Sequence, residues 1–319
     1  MSVKRMLILS VIGGALAACS EQTAPPSATT GPDASAERVA SVVAGNTWST
    51  KAPMRAGRAF MGAAAGGGFL YVVGGISSET GGAVPTTTLQ AYNLSTNTWS
   101  TRKSLPFHAA YGAAAFINGK LYAAGGVEPR LYVYNPATNS WTRKADMPHI
   151  QSGSAAVING QLYVYSGTLI RYNPSTNKWT TLPSPPSEAG SAAVGVMGGR
   201  LYVAGGQDQS SAPITNVYVY DPATNRWQAK APMPVPLVDA ASAVIDKKLY
   251  VATGSPCGAC GPVRTVLVYD PVTDTWTTKA SIPTARQAPA GVSAQGKFYV
   301  LGGWNSSFVA LTKVEVYTP

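Results

Sequence analysis

Five times along this 319-residue chain a tyrosine is followed seven residues later by a tryptophan. The pairs are Tyr92 and Trp99, Tyr134 and Trp141, Tyr172 and Trp179, Tyr220 and Trp227, and Tyr269 and Trp276. Two residues extend the series without a partner nearby: Trp48 has no tyrosine before it, and Tyr317 stands beside the last residues, Thr318 and Pro319. A linear array gives no reason to divide one unit between its ends. A closed ring does, so the register predicts that the segment around Trp48 completes the unit that contains Tyr317.

Each unit repeats one order of elements. A small-residue segment such as Gly112-Ala113-Ala114-Ala115-Phe116-Ile117 precedes a tight turn, for which Asn118-Gly119 and Asn159-Gly160 are suited. An alternating strand follows and ends in small residues, as in Leu70-Tyr71-Val72-Val73-Gly74-Gly75. A loop of variable length leads to a strand ending at the tyrosine, and a turn such as Asp221-Pro222-Ala223-Thr224-Asn225 leads to a strand carrying the tryptophan. Period-two alternation without a helical period predicts an all-β chain. Successive units are spaced from 38 residues (Tyr134 to Tyr172) to 51 (Trp48 to Trp99). Four strands at that spacing define a propeller blade.

The paired glycines followed by Tyr and then Trp resemble the kelch repeat, over residues 46 to 319. WD40 blades have a similar length, but their Gly-His and Trp-Asp signatures are missing. Ser166-Gly167 and Thr253-Gly254 depart from the pattern at the first glycine. The resemblance implies an all-β, six-bladed kelch β-propeller over residues 45–319, closed by pairing an N-terminal strand into the C-terminal blade. Alanine and glycine should line the crowded axis, and Tyr and Trp should fill the widening gaps between blades.

The first 44 residues have a different character. Lys4 and Arg5 precede an apolar run, Met6 to Ala18, too short to span a bilayer as a mature helix. It reads as an export signal over residues 1–18. Leu16-Ala17-Ala18-Cys19 resembles the lipobox of bacterial lipoproteins. That resemblance implies cleavage before Cys19 and lipidation of it, with Ser20 favouring the outer membrane, facing periplasm or cell surface. Residues 19–44, rich in Ala, Ser, Thr and Pro, read as a flexible tether. The membrane is then reached through the lipid alone.

A formal net charge of +10 raises the question of nucleic acid. Lys51, Arg102, Lys144, Lys230 and Lys279 each sit three residues after a tryptophan, so the charges recur around a rim with no aromatic interleaving. No nucleic-acid partner is expected. Cys257 and Cys260 sit in Ser-Pro-Cys-Gly-Ala-Cys-Gly-Pro. A redox pair or half a zinc site has the same spacing, but a structural disulfide suits an exported Gly/Pro loop best.

Features common to every repeat are scaffold, so function is sought where repeats differ. Kelch blades often place an arginine ten residues before the glycine of the first hairpin. Arg58 and Arg286 fit, in the two blades that flank the seam; Ala109, Ile150, Ala189 and Leu237 stand there in the others. The resemblance implies two guanidiniums at the pore mouth that clamp a carboxylate. One residue earlier stand His108, His149 and Glu188, candidates for proton transfer or, alternatively, separate exposed loop residues. Asp239 is a further candidate ligand contact. No serine nucleophile motif, phosphate loop or nucleotide fingerprint is present. The expected protein is a monomeric, membrane-tethered module that binds a glycan, peptide or protein through one loop face, with no cofactor and no metal assigned. The alternative, from resemblance to exported kelch mutarotases of sialic acid, is a mutarotase or epimerase of an acidic sugar.

Overall fold

A computed structural model describes residues 45–78, 82–150, 153–257 and 260–319. The signal, Cys19 and the tether (residues 1–44) lie outside the described residues. Six four-stranded antiparallel sheets form the propeller. Blade one is Gly62–Gly66, Phe69–Val73, Leu89–Asn93 and Thr98–Arg102, from the axis outward. Blades two to five repeat that order, beginning at Ala113–Ile117, Ser154–Ile158, Ala193–Met197 and Ala241–Ile245. Blade six takes Ala290–Ala294, Lys297–Leu301 and Val314–Thr318 from the C-terminal end and its outer strand, Thr47–Thr50, from the N-terminal end. The seam is antiparallel, with Trp48 opposite Tyr317.

The tyrosine–tryptophan register has a hydrogen-bonding reason. Each repeat tyrosine is buried and donates its hydroxyl to an Asn or Asp, five residues on in blades one to five, as Tyr92 does to Asn97 at 2.7 Å. That Asn side chain also accepts the N–H of Ala52 from the preceding blade, and the Trp99 indole donates to the Ala52 carbonyl. The same three-part link joins Tyr134, Asn139 and Trp141 to Lys103, and Tyr172, Asn177 and Trp179 to Ala145. In blade four the neighbour is Pro183, which lacks an N–H, and only the Trp227 indole bond to its carbonyl remains. Each Asn or Asp sits at positive φ, from 49° at Asn139 to 59° at Asn46, a region these side chains tolerate.

The paired glycines have a second task. Gly75, Gly206, Gly254 and Gly303 donate their N–H groups to the carbonyls of Ala109, Leu237, Arg286 and Arg58, each in the following blade. Gly303 is held at φ 98°, where a side chain would be strained. Thr253, in place of a glycine, is fully buried, and its hydroxyl accepts the Arg286 N–H at 2.8 Å. The innermost strands crowd the axis as their composition requires: a Cβ on Gly291 would collide with the backbone of Ser242 in the neighbouring blade. Farther out, larger side chains fill clusters shared by adjacent blades. Tyr71 and Val73 of blade one, for example, pack with Leu121 and Tyr134 of blade two.

Candidate functional site

In five blades the chain enters the innermost strand through one residue in the left-handed region. Phe60 (φ 52°), Tyr111 (φ 62°), Ser191 (φ 54°), Asp239 (φ 54°) and Ala288 (φ 52°) hold equivalent places in five blades. Bulky residues rarely adopt this conformation, and strain of this kind persists only where neighbours enforce it. Here the enforcement is a chain of backbone hydrogen bonds around the axis. Phe60 donates to Ala288, Ala288 to Asp239, and Asp239 to Ser191, while Tyr111 donates to Phe60 and Gly153 to Tyr111.

The ring frames a funnel of about 140 Å³ whose walls include Phe60, Tyr111, Ser191 and Asp239. One wall is aromatic. Phe60 packs 4.4 Å from Tyr111 and edge-on to Trp304 at 5.0 Å, and Trp304 packs edge-on to Phe308. The other wall is polar. Asp239 accepts a hydrogen bond from Gln287 Nε2 at 3.2 Å and another from the Ser191 side chain. Burial outweighs those two bonds and pushes the Asp239 carboxyl above its usual range. Burial, and then the Asp239 charge, push the Tyr111 phenol up as well. Among the described lining residues Asp239 is the one carboxyl group, and no Lys, Arg or His joins it.

The two arginines are elsewhere, which corrects the expected clamp. Arg58 and Arg286 are 1% and 0% exposed, and each runs into its own blade. Arg58 Nη1 donates to the carbonyls of Gly74 and Thr88 at 2.9 and 3.0 Å. Arg286 Nη2 meets Glu315 Oε2 at 2.5 Å, an ion pair buried on both sides. Burial is the larger influence on Arg286 and lowers its pKa to about 10, against the pull of Glu315. Neither guanidinium lines the funnel.

The histidines do not come together either. His108 is exposed and bonds the Pro85 carbonyl through Nδ1 at 3.0 Å, and His149 stands 3.5 Å from the Thr168 hydroxyl. Glu188 accepts from Gln209 Nε2. No group of three or more His, Cys, Asp or Glu among the described residues could hold a metal ion. Of the sequence candidates, Asp239 alone lines the funnel. Phe60, Tyr111, Ser191 and Gln287 were missed. For Phe60, Tyr111 and Ser191 the signal was available: the position two residues after the arginine position changes character from blade to blade.

Around the funnel the loops between second and third strands keep their unequal lengths. Blade one carries a two-stranded ribbon, Ile76–Ser77 with Val84–Pro85, and blade six a loop bridged from Trp304 to Ala310. In blade five a disulfide joins Cys257 to Cys260, with Cα atoms 5.2 Å apart. The large apolar side chains exposed among the described residues are Val84, Tyr111, Val127, Ile150, Val235, Phe308, Val309 and Val272. All but Val272 lie in the connections on the funnel side; Val272 occupies a tyrosine-to-tryptophan turn on the opposite face.

A closed ring of six antiparallel sheets with a funnel on its loop face defines the class: a β-propeller used as a scaffold for variable loops. Two family models place it further. The KLHDC2/KLHL20/DRC7 Kelch-repeats domain matches residues 166–319, and the Kelch motif matches residues 57–106 and 108–148. Models of kelch repeats thus match residues 57–106, 108–148 and 166–319 of the chain. Among its relatives, Kelch-like protein terF of Aspergillus terreus is 29% identical over 168 residues, 44% of this chain and 37% of that protein. Mouse Kelch-like protein 35 is 28% identical over 38% of this chain and 21% of its own length. A Kelch domain-containing protein of Sulfurisphaera tokodaii is 30% identical over 26% of this chain and 13% of its own. The matched segment thus spans well under half of each of these curated relatives. The solved structure of YjhT superposes with a TM-score of 0.72 at 16% identity, over 84% of this chain and 97% of that one, a likeness of fold.

Proposed function

We propose that this chain is a recognition module that binds a protein or peptide partner through its loop face, tethered to an envelope membrane by lipid on Cys19. One observation carries the binding face: exposed large apolar side chains gather on the funnel side, with Val272 the exception. Scattered apolar residues are ordinary, but a one-sided distribution around a concave centre is the pattern of an interaction surface. The unequal loops supply shape, and the rigid ring beneath them lowers the entropic cost of binding. The tether rests on Leu16-Ala17-Ala18-Cys19 and the Ala/Ser/Thr/Pro composition that follows. Mutarotase chemistry gains no support, because the guanidiniums meant to hold the sugar carboxylate are spent inside their blades.

The test uses peptide, protein and glycan arrays probed with the wild-type chain and with Ile150→Asp, Val309→Asp and Val272→Asp. Weaker peptide or protein signals for the first two variants, with Val272→Asp unchanged, support the loop face. Equal signals for all variants, or glycan binding alone, overturn the reading. Mass spectrometry of the mature N-terminus decides the lipid: an unmodified Cys19 removes the tether.

A further inference from the structure

We infer that the axial funnel is a receptor for a lysine side chain projecting from the partner, its ammonium against Asp239 and its methylene stem against Phe60 and Tyr111. The inference rests on the loop face being the recognition face. It reverses the sign of the ligand charge that the arginine positions suggested.

Charge is the first reason. With Arg58 and Arg286 withdrawn into their blades, Asp239 is the charged member of the lining, and no cation among the lining residues offsets it. Its two bonds come from neutral donors, Gln287 and Ser191. A carboxylate held this way in a pocket is costly until a cation arrives. A ligand ammonium would remove the imbalance that keeps the Asp239 carboxyl above its usual range.

Shape is the second. Gly112, Gly153, Ala192 and Ala240 line the funnel beside Met61 and Pro289, so much of its lining is backbone and small side chains. A slim, unbranched alkyl chain suits it better than a planar guanidinium. The wall facing the stem is aromatic, Phe60 and Tyr111 at 4.4 Å, and ring faces attract a nearby cation. Amphipathic chains of this type bury their stem and present their charge to a polar tip.

The third reason is strain. Phe60, Tyr111 and Asp239 are all held at positive φ by the hydrogen-bonded ring. Folding alone would be served by glycine or asparagine there. Aromatic rings at strained positions suit a ligand rather than the scaffold, and Asp239, whose side chain tolerates the region, sets a carboxylate beside them. The chain as a whole is basic, so long-range attraction does not select for cations. Selectivity must arise at contact, inside the funnel.

The test titrates the full chain, by NMR chemical-shift perturbation, with Nα-acetyl-lysine methylamide, its uncharged isostere Nα-acetyl-norleucine methylamide, and Nα-acetyl-glutamate methylamide. The lysine probe should saturate and shift the Tyr111 and Met61 resonances, with norleucine about ten-fold weaker, as an ion pair or cation–π contact of ordinary strength implies. Asp239→Asn, which tolerates positive φ, should erase the lysine preference, and Tyr111→Leu should weaken both neutral and charged probes. The idea fails if lysine does no better than norleucine, if glutamate binds more tightly, if Asp239→Asn keeps the preference, or if no lysine binding saturates. Val309→Asp separates the two proposals: it should impair partner binding and leave the lysine probe unchanged. Partner binding that persists while the lysine probe fails retires this inference and spares the loop-face reading.

Discussion

Asn46 accepts a hydrogen bond from the Tyr317 hydroxyl at 2.5 Å across 271 residues of chain. It also accepts the N–H of Ala280, while Trp48 donates its indole to the Ala280 carbonyl at 2.8 Å. Every other blade makes the tyrosine-to-Asn or tyrosine-to-Asp bond within five residues; the seam blade makes it between the two ends of the propeller. The unit is the same, cut at a different place.

Asn46→Ala should therefore destabilise the whole ring, by about 1–3 kcal/mol for two lost hydrogen bonds and a strained alanine, or about 2–8 °C in melting temperature. Asn97→Ala, its counterpart in blade one, is the comparison. Calorimetry of both variants checks whether the seam behaves as one link among equals. A change at Asn97 with none at Asn46 would mean that the outer strand of blade six is dispensable.

Glu315→Gln leaves Arg286 charged and buried without its partner, which costs about 3–5 kcal/mol in typical proteins. Replacing both partners together, Arg286→Met with Glu315→Leu, should recover much of that loss. Urea denaturation of the single and double variants measures it. Binding to the loop face should be unchanged once folding is restored, which separates a structural ion pair from a ligand clamp.

Asp274 supplies an acid-sensitive link. The Tyr269 hydroxyl, then the Ala231 N–H, hold its carboxyl below the usual range. A carboxylate with a depressed folded pKa stabilises above its unfolded value of about 4 and loses that contribution as pH falls through the folded value. Asn occupies this position in the other blades. Asp274→Asn should thus be nearly neutral at pH 7 and should flatten part of the acid-induced fall in melting temperature. Identical pH profiles for the two proteins would contradict it.

Asp239 has the opposite sign. Its folded pKa is raised, so its ionised form opposes folding above that value, and the penalty vanishes below the unfolded value of about 4. Asp239→Asn should melt higher than wild type at pH 7, with the difference shrinking on acidification. A gain in stability on removing the charge is the mark of a group retained for binding. A drop in stability at pH 7 would make Asp239 a scaffold residue.

Much of the fold was readable because its causes recur locally. A tyrosine that must reach an Asn five residues on, and a tryptophan that must reach the next blade, leave a fixed spacing in every repeat. Trp48 and Tyr317 showed closure for the same reason. The funnel was less readable. The aromatic pair Phe60 and Tyr111 comes from two blades, and its packing depends on the ring that brings their backbones together. Asp239 was legible as the one acidic residue among its equivalents Phe60, Tyr111, Ser191 and Ala288, but not its isolation from cations.

The sequence by itself determined six repeating sheets, their order from axis to rim and the joining of the two ends, because those depend on side-chain size and short-range spacing repeated along the chain. Tertiary structure decided where the charges went. Glu315, two strands away from Arg286, drew that guanidinium inward, because a buried cation is stable only beside a carboxylate. The funnel was left with Asp239 and a wall of aromatic rings.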